Sequence, residues 1–143
     1  MSLGDLKTVP YFYDYYQCIK CKNVGKLSQP IVCSCGKASK YKSTKVLVNN
    51  TKFDSLSEAR RYSKLVYLFN IGQISEVELQ PVFKVVISKK HVFTYKADFR
   101  YLYQNKIFVD DEKGNLTPVF KLKLKIIKAL NPELIINLTK TTR

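Results

Sequence analysis

The chain has 143 residues, 25 lysines and arginines against 11 aspartates and glutamates, and a formal net charge of +14. That length accommodates one ordinary domain plus a small module, and a hydrophobic content of 45% excludes global disorder. A single histidine, His91, excludes multi-histidine metal clusters, and the absence of G-x-x-x-x-G-K-[ST] and G-x-G-x-x-G argues against the common nucleotide-binding loops.

No apolar run is long enough to span a bilayer, and the opening MSLGDLKTVPYFYDYY lacks the apolar core of a secretory signal. The expectation is a cytoplasmic protein with no membrane partner. The positive charge is spread along the chain, net +6 over residues 1–45 and net +8 over 46–143. Both parts would be drawn to a polyanion, and nucleic acid is the default partner.

The elements begin with an aromatic run, Tyr11-Phe12-Tyr13-Asp14-Tyr15-Tyr16. It can stack on unpaired bases or pack a small module against its neighbour, and packing is favoured. All four cysteines follow, as Cys18-Ile-Lys-Cys21 and Cys33-Ser-Cys35-Gly36. Two close pairs on facing turns place four thiolates around one ion, the spacing of a small zinc site. The alternative is two disulfides, which a reducing compartment would not preserve. Gly36 suits a turn that needs positive φ, and the insert NVGKLSQPIV suits a short hairpin. The module resembles a zinc ribbon, and its zinc would be structural, since so short a segment buries too little apolar surface to fold unaided. Residues 37–45, KASKYKSTK, read as a basic linker, either a solvated loop or an arm that follows a nucleic-acid strand.

The domain expected over 45–143 opens with a hairpin, VLVNNTKF (46–53), turning at Asn49-Asn50. A helix follows over 54–72, capped by Ser55 and ended by Gly72. Residues 77–88 and 91–104 alternate and are rich in β-branched and aromatic side chains, so each reads as a strand; 106–113 is a third. LTPVFKLKLKIIKAL (116–130) is a basic helix with Pro118 in its first turn, and 133–138 is a last strand. The order helix, three strands, helix, strand describes an α/β layered domain.

Several charged residues stand where the pattern wants apolar ones. Glu58 falls in the stripe Tyr62, Leu65, Phe69 of the first helix. It either closes a capping box with Ser55 or serves a site. Asp98 lies on the strand face opposite Ala97 and Phe99. In the third strand Ile107, Val109, Asp111 and Lys113 share one face, which turns from apolar to acidic to basic. Three carboxylates and a lysine from one helix and two strands can converge at one sheet edge. Such a set suits Mg²⁺ or Mn²⁺ and the metal-assisted cleavage of a phosphodiester, with Asp98, Asp111 and Glu58 as metal ligands and Lys113 holding the attacking water or stabilising charge.

Asp98 and Asp111-Glu112-Lys113, with a preceding helical glutamate, resemble the PD-(D/E)XK nuclease superfamily. More closely, KFDSLSEARRY, EVELQP, YKADFRY and VDDEKGNLTPVFKLKLK resemble the successive blocks of a small phage-associated family in that superfamily, often labelled a domain of unknown function or a candidate endonuclease. The resemblance runs from Lys45 to Leu138. It implies an α-β-β-β-α-β core behind the small zinc ribbon, with residues 1–44 as module and linker and 45–143 as the nuclease-like domain. It implies catalytic roles for Glu58, Asp98, Asp111 and Lys113, a polar residue near the site at Gln80, and Thr117 and Lys121 opening a helix toward phosphate. The family commonly has Glu-Asp where this chain has Asp110-Asp111, and an apolar residue where it has Glu112. Either aspartate could therefore be the ligand, and alternation favours Asp111.

The function these readings imply is a DNA endonuclease specific for branched or junction DNA, in the manner of Holliday-junction resolvases. It would act as a homodimer, in a protein that is virus-encoded and works in the host cell. The alternatives are a non-catalytic nucleic-acid-binding protein and a sequence-specific nuclease aided by the zinc module. Lys121, Lys123, Lys125 and Lys128 are candidate phosphate contacts, with Lys121, Lys125 and Lys128 on one side of their helix. The bland alternative is a surface helix that packs Val119, Leu122, Ile126 and Leu130 on the sheet.

Overall fold

The computed structural model describes residues 8–31, 33–38, 43–113 and 115–140. The chain forms two compact units, Met1–Gly72 and Gln73–Arg143. Of the linker expected over 37–45, residues 39–42 lie outside the described residues.

In the first unit, β1 (Tyr15–Cys18), β2 (Val24–Lys26), β3 (Val46–Val48) and β4 (Thr51–Phe53) form one sheet in the order β2-β1-β3-β4. All its pairings are antiparallel. The β3–β4 turn is the expected one: Asn49 and Asn50 both take positive φ, 50° and 60°, as a two-residue hairpin requires. The expected hairpin within the cysteine insert is different. Val24–Lys26 pairs backward with Tyr15–Gln17, so the hairpin encloses the first cysteine pair. β1 then pairs with β3, tying the cysteine module to the segment after the linker, a long-range pairing that no local pattern announces.

Helix α1 (Leu56–Asn70) starts at N-cap Ser55, whose Oγ accepts from the Glu58 N–H at 3.1 Å, and Gly72 follows it with φ +79°. Its buried positions are Leu56, Glu58, Ala59, Ser63, Leu65 and Leu68. The expected stripe is thus corrected at Phe69, which is exposed. Ser63 Oγ accepts from the Tyr13 N–H and donates to the Tyr13 carbonyl. Arg60 donates to the carbonyls of Leu27 and Gln29. Tyr62 stacks on Tyr13 and tilts against Phe53. The aromatic run therefore packs in part, with Tyr16 buried and Tyr13 on α1, while Phe12 and Tyr15 stay exposed.

The second unit holds β5 (Ser75–Leu79), β6 (Val82–Ile87), β7 (Lys90–Lys96), β8 (Phe99–Tyr103), β9 (Lys106–Lys113), α2 (Pro118–Leu130) and β10 (Leu134–Lys140). Its four-stranded sheet runs β10-β9-β8-β5. β8 is antiparallel to β5 and β9, and β10 is parallel to β9, reached by the crossover through α2. The expected strands 77–88 and 91–104 each break in two. Gln80 takes φ +52° and Pro81 lacks an N–H, so the ladder jogs at Gln80-Pro81 and, on the partner strand, at Ala97-Asp98. Gln80 N–H still reaches the Asp98 carbonyl at 2.8 Å and Ala97 N–H the Pro81 carbonyl at 3.1 Å. Beyond the jog β6 and β7 form a separate two-stranded sheet.

Val85, Tyr95, Ala97, Val109 and Ile127 form the buried core here, flanked by Phe83, Phe93, Phe120, Ile126, Leu134 and Ile136. α2 therefore docks through Phe120 and Ile127. This corrects the expected packing face: Val119 and Leu122 are 62% and 61% exposed, and Leu130 is exposed as well. Among the described residues no helix is long and apolar enough to cross a membrane.

Candidate functional site

The cysteines are placed by tight turns. Cys18 ends β1, its N–H bonded to the Asn23 carbonyl and its carbonyl accepting from Lys22, with Lys22 at φ 66°. Cys35 opens a short 3₁₀ turn, Cys35–Ala38. Gly36 is needed for space rather than for positive φ: a Cβ there would meet Thr44 Oγ1 and come within 2.9 Å of the Ser43 backbone. All four cysteines are free thiols, and their Sγ atoms lie within 4.8 Å of one another. Four Zn–S bonds of about 2.3 Å in a tetrahedron set the sulfurs about 3.8 Å apart, so the donor set can hold a metal such as zinc with small adjustments. Burial opposes ionisation of Cys18, but the backbone N–H groups of Cys21 and Lys20 and the neighbouring thiols overcome it and bring it down to about 7. Cys35, hydrogen-bonded to Cys21 and desolvated, is pushed up to about 12. Cys18 is the most buried of the four.

The acid–lysine set of the second unit is built on β9 and the jog. Alternation along β9 sends Asp110 and Asp111 to opposite faces. Asp110 is buried and bonded to Tyr101 Oη and Asn137 Nδ2, both at 3.3 Å. Asp111 shares its face with Lys113, whose Nζ lies 3.4 Å from Asp111 Oδ2; their side chains are 2% and 34% exposed. Tyr95 Oη donates to the same oxygen at 2.7 Å. Asp98 Oδ2 accepts the Glu112 N–H at 2.7 Å, so its carboxylate is held against the backbone between Asp111 and Lys113. Burial raises the Asp111 carboxyl above the ordinary range and the nearby Asp98 adds to this, against the opposing pull of Tyr95 and Lys113. Burial and Asp111 likewise raise the Tyr95 hydroxyl, which therefore stays a proton donor. The Lys113 ammonium also sits 5.1 Å from the Phe120 ring.

The other expected site residues fall as follows. Glu58 belongs to the first unit, where it is buried, its N–H donating to Ser55 Oγ at 3.1 Å and its Oε2 accepting the Asp54 N–H, one residue before the N-cap, at 3.3 Å. Gln80 is exposed and acts on Asp98 through its backbone N–H. Thr117 is the N-cap of α2, its Oγ1 accepting from Phe120 N–H at 3.1 Å. Lys121, Lys125 and Lys128 are exposed, whereas Lys123 lies over the Phe93 ring at 5.4 Å. Tyr95 is the residue that sequence reasoning missed. A tyrosine at an inward strand position needs a partner for its hydroxyl, and that requirement was the available signal.

Comparison with curated proteins found no match, and comparison with solved structures found none. A family model described as a protein of unknown function, DUF1064, matches residues 38–143, which include β3 to β10 and both helices and leave the four cysteines outside the match. By that match the chain belongs to the DUF1064 family.

Proposed function

We propose that the protein is a metal-dependent DNA endonuclease of the PD-(D/E)XK type, acting on branched or junction DNA, with a structural zinc on its four cysteines. One observation carries the reading: Asp111 and Lys113 share a face of β9 while Asp98 accepts the N–H of the residue between them. The chain order α1, β5, β8, β9, α2, β10, with β6–β7 inserted and β10 parallel to β9, supports it, because it is the α-β-β-β-α-β order the resemblance implies.

Asp98 and Asp111 offer the oxygen donors that Mg²⁺ or Mn²⁺ takes. When bound, such an ion polarises the phosphate and makes a coordinated water acidic. Tyr95 fixes the orientation of Asp111. Lys113 brings a positive charge to the place where oxygen charge develops. A net charge of +14 supplies attraction to DNA.

The test is cleavage of matched duplex, flap, single-stranded and four-way-junction DNA with and without Mg²⁺ or Mn²⁺. Cleavage that needs the ion and is fastest on the branched substrates is expected. Binding without cleavage on all four would overturn the enzyme reading and leave a DNA-binding protein.

A further inference from the structure

The β6–β7 hairpin is a distinct arm. It forms a two-stranded sheet of its own, joined to the main sheet at the Gln80-Pro81 and Ala97-Asp98 jog. Its seven-residue strand spans about 20 Å. One face is committed to the core, with Val85 and Tyr95 buried and Phe83 and Phe93 half-buried. The other face and the tip belong to solvent: Val82, Lys84, Val86, Val92, Thr94 and Lys96 are all exposed. From Val82 to Lys96 the arm carries four lysines and the only histidine, and no acidic residue. Lys84 stands opposite Thr94, and Val82 opposite Lys96. At the tip, Ser88 and Lys89 take φ of 51° and 65°, a tight turn that holds exposed Lys89 and Lys90 at the end of the arm.

We propose that this arm lies against duplex DNA, its lysines on the phosphates and its outward valines toward the groove. This rests on reading the protein as one that acts on DNA. A two-stranded β-ribbon is an element the major groove admits, and small apolar side chains meet thymine methyl groups there. The charged side chains of the outer face and tip are all lysines, complementary to the phosphate backbone. The arm joins the main sheet next to Asp98, whose carbonyl accepts the Gln80 N–H; its inner face holds Asp111 through Tyr95, and its outer face is the one left open to DNA. The exposed lysines of α2, Lys121, Lys125 and Lys128, are the other candidate phosphate contacts.

The experiment is fluorescence anisotropy of a labelled 20-base-pair duplex over a salt series, without divalent ion so that nothing is cut. The variants are Lys84→Ala/Lys89→Ala/Lys90→Ala and, at the tip alone, Lys89→Glu/Lys90→Glu. Both alter exposed side chains, and melting temperatures check that each is folded. Each lysine that contacts phosphate contributes about one unit to the slope of log affinity against log salt. The triple variant is therefore expected to lose about three units of slope, and the tip pair at least two. A parent-like slope in both overturns the proposal. So does a parent-like slope accompanied by lost binding to phosphatidylserine vesicles, which would assign the exposed valines and lysines to a lipid surface. Binding without metal keeps the two readings separable. A protein that cuts nothing but loses slope in these variants retains the arm, and one that cuts while its variants bind like the parent loses it.

Discussion

Asp111→Asn separates a functional acid from a structural one. The substitution keeps the shape of a side chain that is 2% exposed and removes its charge. The Tyr95 hydroxyl still has an oxygen to donate to, but the bond loses its charge assistance, a cost of about 1 kcal/mol. The half-exposed Lys113 loses an ion pair worth up to about 1 kcal/mol. Against these stands relief from desolvating a carboxylate, a penalty of several kcal/mol per ion. The variant is therefore expected to equal or exceed the parent in stability at neutral pH. The pH dependence has a fixed sign. A carboxyl raised in the folded state binds its proton more tightly there than in the unfolded chain. The associated stability is whole below the ordinary carboxylate pKa, declines as pH rises through the raised value, and then levels off. Urea unfolding of parent and variant from pH 4 to 8, without added Mg²⁺, should show a difference that moves in the variant's favour with pH. A variant less stable than the parent by more than about 1 kcal/mol at pH 7, with the gap widening as pH rises, would make Asp111 a structural residue and refute the reasoning.

Metal analysis of the purified protein should find about one zinc per chain, and chelation should melt the β1–β3 pairing while leaving the second unit's secondary structure, as followed by circular dichroism and hydrogen exchange. Gly36→Ala should release zinc more readily than the parent in a chelator competition, because the added methyl meets Thr44 and the Ser43 backbone. Tyr95→Phe should keep its ring contacts with Phe83 and Phe120 and lose the bond to Asp111, costing about 1–3 kcal/mol in denaturant and moving cleavage to higher Mg²⁺ concentration. Thr117→Ala should cost about 1 kcal/mol through the lost cap of α2, with no change in the salt slope of DNA binding.

The parts of the fold legible in the sequence are those set by short-range chemistry. Ser55 and Gly72 bound α1, Thr117 and Pro118 start α2, and Asn49-Asn50 turn β3 into β4, because each of these depends on backbone groups within four residues. β9 was readable over its full length from alternation, and the same alternation separates Asp110 from Asp111. What could not be read was set by distant partners. Gln80-Pro81 lies inside a stretch that reads as one strand, and only the pairing with Ala97-Asp98 turns it into the jog that positions Asp98. β1 meets β3 across a gap of about thirty residues, which local pattern does not encode. On α2, two apolar stripes were available, and the aromatic layer of Phe83, Phe93 and Tyr95 selects Phe120 and Ile127 over Val119 and Leu122. The candidate site was legible as a set of charges. Its organisation, with Tyr95 and Lys113 on one oxygen of Asp111, was not, since Tyr95 approaches from another strand.

Whether Asp98, Asp111 and Lys113 form the proposed hydrolytic site is decided by single-turnover cleavage of a four-way junction by the parent and by Asp111→Asn across a Mg²⁺ series. Cleavage by the parent is expected to rise with Mg²⁺ and saturate, and the variant is expected not to cleave while still binding the junction at least as tightly. Equal cleavage by the two proteins, or cleavage by the parent that is indifferent to Mg²⁺, would contradict the proposed site.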